Sequence, residues 1–294
     1  MRLASLPWYD LREVRPAHDA LWSAIAERLR RGGIVDVPER LERRIGYAAQ
    51  WSSGRLLLGQ ACGYDIVTAQ ARSLRIVATP CFDVEGCVGP YYRSFVVVRR
   101  GSPARALADL RGSRCVINGE TSHSGMNALW HLVARREGEG AFFRDVLVSG
   151  AHEHSVALLA DGAADVAAID CITWALLAHH RPHAVADLRI VGTTDPAPAP
   201  PFVTSAETPH WHLEVLRAAL HDVLAGGYAD TPWSVLRLRG ASVMPRGAYD
   251  AITCARRGLD PRSVASDNAR HAHRPRCVQP RPRVVQGGAG VGRC

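Results

Sequence analysis

Short apolar segments alternate along most of the chain with segments of helical periodicity. Leucine and isoleucine recur every three or four positions over residues 17–31, which predicts an amphipathic helix ended by the two glycines that follow. The strongest strand signal is the run of valine and aromatic residues at 91–99. The same pattern predicts further strands at 3–6, 34–37, 56–64, 74–79 (ended by Pro80), 115–117, 146–148, 164–170 and 188–192. It predicts further helices at 104–110, 126–136, 155–160, 172–180 and 207–224.

Strands that alternate with helices are typical of an α/β fold, in which a mostly parallel sheet is covered by helices on both faces. In such folds ligands bind at the carboxyl ends of the strands, where the connecting loops meet. This rule brings several polar and aromatic positions together as candidates: Tyr9, Gln60, Tyr64, the 118–125 loop, His152 and Asp170.

A stretch rich in small and hydroxyl-bearing residues, 118–127, joins a predicted strand to a predicted helix. Backbone N–H groups at a helix start lack partners within the helix, and the helix dipole adds positive potential there. Thr121, Ser122 and Ser124 add hydroxyl donors, and Gly125 lets a ligand come close to the backbone. The stretch therefore predicts a cradle for a small oxyanion, with an ordinary serine-capped helix start as the simpler interpretation.

The charge distribution argues against nucleic acid as a partner. The 294 residues carry a net charge of +8, and every basic side chain is arginine, since the chain contains no lysine. Residues 255–294 hold nine arginines against two acids, so the rest of the chain is close to neutral. A near-neutral body lacks the broad basic face that binds a phosphate backbone.

Two proline-containing segments suggest boundaries. The segment at 195–201 is rigid and extended, and we expect it to cross between two lobes. From about residue 251 onward the chain turns to Arg, Pro, Gly and Ala without periodicity, so 251–294 are predicted to form a disordered basic tail.

The first ten residues contain no long apolar segment, and no apolar run approaches the length of a membrane span. The chain as written is therefore expected in the cytoplasm, without a signal peptide and not spanning a membrane. The eight cysteines form no zinc-type CxxC pair and are expected as free thiols in a reducing compartment. In an oxidising compartment, Cys62 and Cys87 are the pair considered for a bridge.

A set of short motifs follows the predicted strands in order. They are Gln-x-Cys-Gly-Tyr at 60–64, Gly-Cys at 86–87, Tyr-Arg-Ser at 92–94, Ser-His-Ser-Gly at 122–125, Gly-Ala-His at 150–152 and the strand at 164–170. In this combination the chain resembles the phosphonate-binding proteins of ABC importers, within the two-lobed periplasmic-binding-protein superfamily. The resemblance runs from about residue 3 to residue 249.

The resemblance implies a type II periplasmic-binding-protein-like α/β fold of two lobes, each a mostly parallel sheet flanked by helices. Residues 1–92 plus 197–250 would form the first lobe and 93–196 the second, closing on phosphonate, phosphate or a similar oxyanion. It implies a monomeric binding protein that is not an enzyme and needs no cofactor or metal. Its partners would be the small anion and an ABC transporter permease. The location would be periplasmic if the start of the chain is incomplete.

The resemblance also implies roles for particular residues. The segment of Ser122, His123 and Ser124 would cradle the anion, with an imidazole at 123 where many members carry a threonine hydroxyl. Tyr92 and His152 match positions that contact the ligand's oxygens, and Asp170 matches an acidic position that binds an amino group. The full predicted binding set is Tyr9, Gln60, Tyr64, Tyr92, Thr121, Ser122, His123, Ser124, His152 and Asp170.

Two other functions remain open from the sequence. If residues 152–154 form a strand, His152 and His154 share one face, and with Asp170 they could hold the metal of a hydrolase. The apparent absence of a signal peptide fits a cytosolic sensor domain. For Asp170 itself, the simpler interpretation is a cap on the helix that follows it.

Overall fold

The computed structural model of the chain describes residues 2–68, 72–138 and 141–252, and every structural statement below refers to these residues. Residues 253–294, most of the predicted tail, lie outside this described part. The tail boundary at 251 is wrong by two residues, because Ala251 and Ile252 continue a helical turn. Ile252 is completely buried, and its carbonyl oxygen accepts a hydrogen bond from Asn127 Nδ2 at 3.2 Å.

The helices of the described ranges are α1 Arg15–Arg31, α2 Tyr47–Ser52, α3 Gly63–Ile66, α4 Ala128–Glu137, α5 His152–Ala160, α6 Cys171–His180, α7 Pro182–Val185 and α8 His210–Leu224. The strands are β1 Leu3–Ala4, β2 Leu56–Gln60, β3 Leu74–Phe82, β4 Tyr91–Tyr92, β5 Ser94–Arg99, β6 Arg114–Ile117, β7 Asp145–Val148, β8 Val166–Asp170, β9 Leu188–Thr193, β10 Ala197–Pro198, β11 Phe202–Ser205 and β12 Leu238–Ser242. A π-turn, His123–Asn127, leads into α4, and 3₁₀ turns lie at Arg12–Val14, Leu107–Leu110, Ser234–Leu236 and Arg246–Tyr249. No helix in the described ranges has the length and apolar character needed to cross a bilayer.

The first sheet has the strand order β1-β2-β11-β3-β12. It therefore contains both the first and the last strand of the described residues. Helix α8 packs on β3 and β12 and against α1. The leucines of α8 that share one face by their spacing, at positions 213, 216, 220 and 224, are all buried. The helices predicted at 17–31 and 207–224 are thus confirmed to within three residues at their ends.

The second sheet has the order β7-β6-β8-β5-β9. Strand β5, between β8 and β9, is buried on both faces, since Phe95 and Val97 pack in one hydrophobic cluster while Val96 and Val98 pack in another. A strand covered on both sides needs apolar residues at every position. This requirement explains why 91–99 gave the strongest strand signal in the sequence.

The two-lobed α/β class is confirmed, but the sheets are mixed rather than mostly parallel. In the first sheet only β1 and β2 pair in parallel, and in the second sheet β7, β6 and β8 do. Strands β5 and β11 run antiparallel to their neighbours. Each of these two strands follows directly on a crossing from the other sheet, so it enters its sheet at the carboxyl ends of the parallel strands and runs away from them.

The two crossing segments pair with each other in a short antiparallel ribbon. Strand β10 pairs with β4, with Ala197 opposite Tyr92 and Pro198 opposite Tyr91. The lobe boundaries predicted at 92 and 197 fall within this ribbon. The proline-rich 195–201 segment is therefore an extended crossing that is tied to the other crossing by backbone hydrogen bonds.

Two strand predictions need correction. Residues 34–37 form turns instead of a strand, with Val35 exposed and Asp36 in the left-handed region at φ 58°. Strand β3 does not end at Pro80 but continues to Phe82. Strand β11 pairs with β3 only as far as Ala78, so the N–H that proline lacks is not needed on that side.

Candidate functional site

An open cleft of about 310 Å³ lies at the carboxyl ends of the parallel strands of both sheets. From the first sheet it is lined by the segment after β1, by the residues after β2 and by part of the crossing ribbon. From the second sheet it is lined by the loops after β6 and β7 and by the start of α6. The lining residues are Pro7, Trp8, Tyr9, Asp10, Leu11, Tyr47, Cys62, Asp65, Tyr92, Asn118, Gly119, Thr121, Ser122, Ser124, Gly150, Ala151, His152, Glu153, Asp170, Thr173 and Pro200.

The serine-rich stretch forms the π-turn that begins at the cleft wall. Ser122 caps it, because its Oγ accepts a hydrogen bond from the Gly125 N–H at 3.1 Å. A side chain at position 125 would collide with Asn118, since an added Cβ would lie 1.9 Å from Asn118 Oδ1. Glycine is therefore required at 125 for close packing against Asn118.

Three polar side chains meet on this wall. His152 Nε2 lies 2.9 Å from Ser124 Oγ and 3.3 Å from Asp170 Oδ2. Burial lowers the pKa of His152, although the nearby Asp170 carboxylate opposes that shift. The imidazole is therefore neutral at physiological pH. Its Nδ1 is buried and has no hydrogen-bond partner among the described residues.

Asp170 is held by the helix that it precedes. Its Oδ1 accepts hydrogen bonds from the N–H groups of Ile172 and Thr173, at 3.1 and 2.8 Å, and its Oδ2 accepts one from Thr173 Oγ1 at 2.6 Å. A carboxylate at this position satisfies donors that the start of α6 leaves unpaired and interacts favourably with the helix dipole. The helix-cap interpretation of Asp170 is thus confirmed, and the same carboxylate also contacts His152.

Two tyrosine side chains line the cleft, Tyr9 from the first sheet and Tyr92 from the ribbon. Tyr9 has a left-handed backbone conformation with φ 65°. Its ring packs edge-on against the ring of Phe82, with 5.3 Å between the ring centres. Burial, with a smaller effect of Asp170, raises the pKa of Tyr9 well above its ordinary value. Burial likewise raises the pKa of Tyr92, so both hydroxyls stay protonated and can donate. Tyr91, on the opposite face of β4, is 40% exposed.

Seven of the ten predicted site residues line the cleft: Tyr9, Tyr92, Thr121, Ser122, Ser124, His152 and Asp170. His123 does not, because its ring turns into the protein and lies 3.1 Å from Asn127 Nδ2. Burial lowers the pKa of His123 to about 4. The prediction that this imidazole faces the ligand is therefore wrong for the described geometry.

Gln60 and Tyr64 also lie outside the cleft. Gln60 lines a separate cavity of about 20 Å³ that Trp8 and Tyr9 also line, and its Oε1 accepts a hydrogen bond from the Trp8 N–H at 3.3 Å. Tyr64 is buried in the second position of α3. Gln60 thus holds the backbone of Trp8, a cleft residue, while Tyr64 packs in the main hydrophobic cluster.

Asp65 is a cleft residue that the sequence analysis missed. It lies in α3, and its Oδ2 accepts a hydrogen bond from the Cys62 N–H at 3.1 Å. Burial raises the pKa of Asp65 to about 6, against the smaller effect of that hydrogen bond. The signal was its position three residues after Cys62, the spacing of a capping box at a helix start that follows a buried strand.

The metal-hydrolase alternative fails on local structure. His152 and His154 lie in the first turn of α5 and not on a strand, so residues two apart point in different directions. His154 is exposed and its Nδ1 lies 3.2 Å from the Ser149 carbonyl oxygen. The described ranges contain no cluster of three or more His, Cys, Asp or Glu side chains able to hold a metal.

The cysteine pair considered for a bridge is not brought together. Cys62 Sγ accepts a hydrogen bond from the His123 N–H at 3.5 Å, a contact between the two sides of the cleft. Cys87 lies instead beside Cys171, with 3.5 Å between the sulfurs. The structure therefore does not favour the Cys62–Cys87 pairing that the sequence left open for an oxidising compartment, because the loop that carries Cys87 packs on the start of α6.

Two mixed sheets that are joined by two paired crossings, with a polar cleft at their carboxyl ends, define a two-lobed solute-binding protein of the periplasmic type. The chain belongs to the family of phosphonate ABC transporter periplasmic substrate-binding proteins, whose family model matches residues 4–230. The resemblance found in the sequence is thus confirmed. The family is one of transport proteins that bind a substrate, and its periplasmic character gives no support to the cytoplasmic location expected from the first residues. No curated protein sequence matches the chain significantly.

Solved structures share this fold at low sequence identity. PhnD1 from Prochlorococcus marinus in complex with methylphosphonate is 18% identical, with a TM-score of 0.68 over 87% of this chain and 97% of that one. XAC2383 from Xanthomonas citri bound to ATP is 19% identical, with a TM-score of 0.64 over 88% and 99%. A binding protein component of an ABC phosphonate transporter from Pseudomonas aeruginosa is 14% identical, with a TM-score of 0.65 over 86% and 84%. At these identities the likeness establishes the fold alone.

Proposed function

We propose that this chain is the binding component of an ABC importer and that it holds a phosphonate, phosphate or similar small oxyanion in the cleft. The observation that carries the proposal is the meeting of Ser124 and His152 at the cleft wall, 2.9 Å apart, beside the capped π-turn that starts at Ser122. Hydroxyl groups and helix-terminal N–H groups are the donors that bind an oxyanion at a helix start.

The hydrogen-bond pattern supports Ser124 as a donor to the ligand. His152 Nε2 faces both Ser124 Oγ and the Asp170 carboxylate, which can only accept. The Nε2 atom therefore carries the proton, and Ser124 Oγ accepts from it. The Ser124 hydroxyl hydrogen then points either to the Tyr92 oxygen, its other hydrogen-bond neighbour, or to an anion in the cleft.

The charges of the lining support recognition by neutral donors instead of by cations. Within residues 2–68, 72–138 and 141–252, no arginine lines the cleft, whereas Asp10, Asp65, Glu153 and Asp170 do. Two of these carboxylates are paired outward, Asp10 with Arg43 at 2.9 Å and Glu153 with Arg181 at 2.7 Å. Burial in a cleft of low dielectric strengthens hydrogen bonds from the serine and tyrosine hydroxyls, so a small anion can be held without a basic side chain.

The lobes of the proposal are residues 1–92 plus 197–250 and residues 93–196. The ribbon of β4 and β10 is then the hinge, because it contains both crossings within two paired residues each. Arg181 supports a closing contact at the rim, since it bridges Glu13 of the first lobe at 2.7 Å and Glu153 of the second at 2.7 Å. Closure would cover the ligand and present a new surface to the partner.

The partners that this role requires are the small anion and an importer permease, and the location that it requires is the periplasm. The family to which the chain belongs supports both. A monomer suffices, because each chain supplies both walls of the cleft.

The proposal is tested by ligand-dependent stabilisation. The thermal unfolding midpoint is measured with methylphosphonate, inorganic phosphate, methanesulfonate and acetate, followed by calorimetric titration of any compound that stabilises. At 100 times its dissociation constant a ligand stabilises the folded state by about 2.7 kcal/mol, a shift that is readily measured. If none of the four anions moves the midpoint at millimolar concentration, the proposed function is wrong.

A further inference from the structure

Two cysteines that follow strands of different sheets lie next to each other. Cys87 is in the loop that follows β3 of the first sheet, and Cys171 is the first residue of α6, which follows β8 of the second sheet. Their sulfurs are 3.5 Å apart, and a disulfide bond is about 2.05 Å long. The two sulfurs must therefore approach by about 1.5 Å to form the bond.

The backbone around Cys87 is shaped for this approach. Gly86 has φ 91°, in the left-handed region, and an added Cβ there would lie 2.8 Å from Cys171 Cβ. Any side chain at 86 would therefore push the loop away from α6. Cys171 is completely buried and its N–H donates to the Arg93 carbonyl oxygen at 3.0 Å, so its position is fixed. Cys87 is partly exposed and can be reached from solvent.

The other cysteines of the described ranges have different neighbours. Cys62 Sγ accepts from the His123 N–H, and Cys81 Sγ lies 3.5 Å from Ser242 Oγ. Cys115 is buried in the second hydrophobic cluster. Within the part of the chain that is described, only Cys87 and Cys171 have their sulfurs within hydrogen-bond distance of each other.

We propose that Cys87 and Cys171 form a disulfide bond that ties the first sheet to the second beside the cleft. The inference does not depend on which anion the cleft binds. It places the bond one residue after Asp170, so the bond would fix the start of α6 and, through Asp170, the position of His152.

The bond forms by thiol–disulfide exchange with a small disulfide as the oxidant. The contact with Cys171 and burial raise the pKa of the Cys87 thiol, so only a small fraction is deprotonated. This thiolate fraction attacks the oxidant and releases one of its halves as a thiol, which leaves a mixed disulfide on Cys87. The Cys171 thiolate then attacks the Cys87 sulfur and releases the second half as a thiol. The two cysteines together lose two protons and two electrons, and the oxidant is reduced to two thiols.

The test is peptide mapping of the full-length chain after incubation with oxidised glutathione and blocking of free thiols. Trypsin alone leaves Cys81 and Cys87 in one peptide, so cleavage after Glu85 is added to separate them. We expect a linked pair of peptides that contain Cys87 and Cys171. The link should disappear in Cys87→Ser and in Cys171→Ser and persist in Cys81→Ser, the matched control.

A second measurement needs no variant and reports on the tie between the sheets. The bond would close a loop of roughly 80 residues, so reduction of the mapped protein should lower its thermal midpoint by about 5–15 °C. The same reductant should not move the midpoint of Cys87→Ser. The inference is overturned if Cys171 is recovered only as the blocked free thiol, if Cys87 is linked to Cys81, or if reduction leaves the midpoint unchanged.

Discussion

The two walls of the cleft are built in different ways. The wall from the second sheet contains polar side chains at the starts of helices, and several are held by hydrogen bonds within the protein, as in Ser122 to Gly125 and Asp170 to Thr173. The wall from the first sheet is largely aromatic, with Trp8 and Tyr47 in contact at 5.7 Å between ring centres. Much of it lies in a segment without helix or strand, residues 7–11.

The two walls therefore contribute differently to binding: the second-sheet wall recognises the ligand, and the first-sheet wall encloses it. Helix starts hold donors at fixed positions because the helix backbone itself sets their geometry. Aromatic rings provide large contact area with few rotatable bonds and can cover ligands of varied shape. We infer that the second-sheet wall selects for an oxyanion, while the first-sheet wall determines which substituent fits beside it.

The largest effect is expected from a substitution that removes a hydrogen-bond acceptor supporting the second-sheet wall. Asp170→Ala leaves the N–H groups of Ile172 and Thr173 and the Thr173 hydroxyl without their acceptor. We expect the free energy of unfolding to fall by about 2–4 kcal/mol, measured by denaturant unfolding. Asp161→Ala, at the exposed C-terminal end of α5, is the matched control and should change it by less than about 0.5 kcal/mol. Equal losses in the two variants would contradict the supporting role of Asp170.

The next effect concerns binding alone. Ser124→Ala removes a hydroxyl that lines the cleft, and we expect weaker binding of the stabilising anion by about 1.5–3 kcal/mol with the fold intact, measured by calorimetric titration. Ser23→Ala, on the exposed face of α1, is the control and should bind as the unaltered protein does. An unchanged affinity in Ser124→Ala would show that Ser124 does not contribute to ligand binding at the second-sheet wall.

The third effect tests the charge of the first-sheet wall. The pKa of Asp65 is raised to about 6, from an ordinary value of 3.8. Between pH 4 and 6 the carboxyl ionises in the unfolded chain but stays protonated in the folded one, so its contribution to stability falls as the pH rises through that window. Asp65→Asn lacks this dependence.

The measurement for Asp65 is the difference in thermal midpoint between Asp65→Asn and the unaltered protein. This difference should rise in favour of the variant from pH 4 to 6 and stay constant above pH 6. His123, whose pKa is lowered to about 4, titrates in both proteins, so its effect cancels in the difference. A difference that does not vary with pH would show that Asp65 ionises in the folded state as readily as in the unfolded one.

Sequence patterns predicted the parts of this protein that depend on local rules. Strand ends followed by helix starts placed Ser122, Ser124, His152 and Asp170 at one edge, and the structure brings them together. The orientation of His123 could not be predicted, because it depends on a π-turn that turns the middle residue of the motif inward. The antiparallel direction of β5 and β11 could not be predicted either. It follows from the topology of the two crossings and not from the residues of these strands.

The buried Ile252 has a practical consequence for anyone who shortens this protein. Its side chain fills the space beside Gly63, and its carbonyl oxygen accepts a hydrogen bond from Asn127 of the π-turn, so Ile252 helps to position that turn. A truncated version that stops at residue 250 would leave a cavity beside Gly63 and leave Asn127 Nδ2 without this acceptor. A version intended for crystallisation or for use as an anion biosensor should therefore retain Ile252.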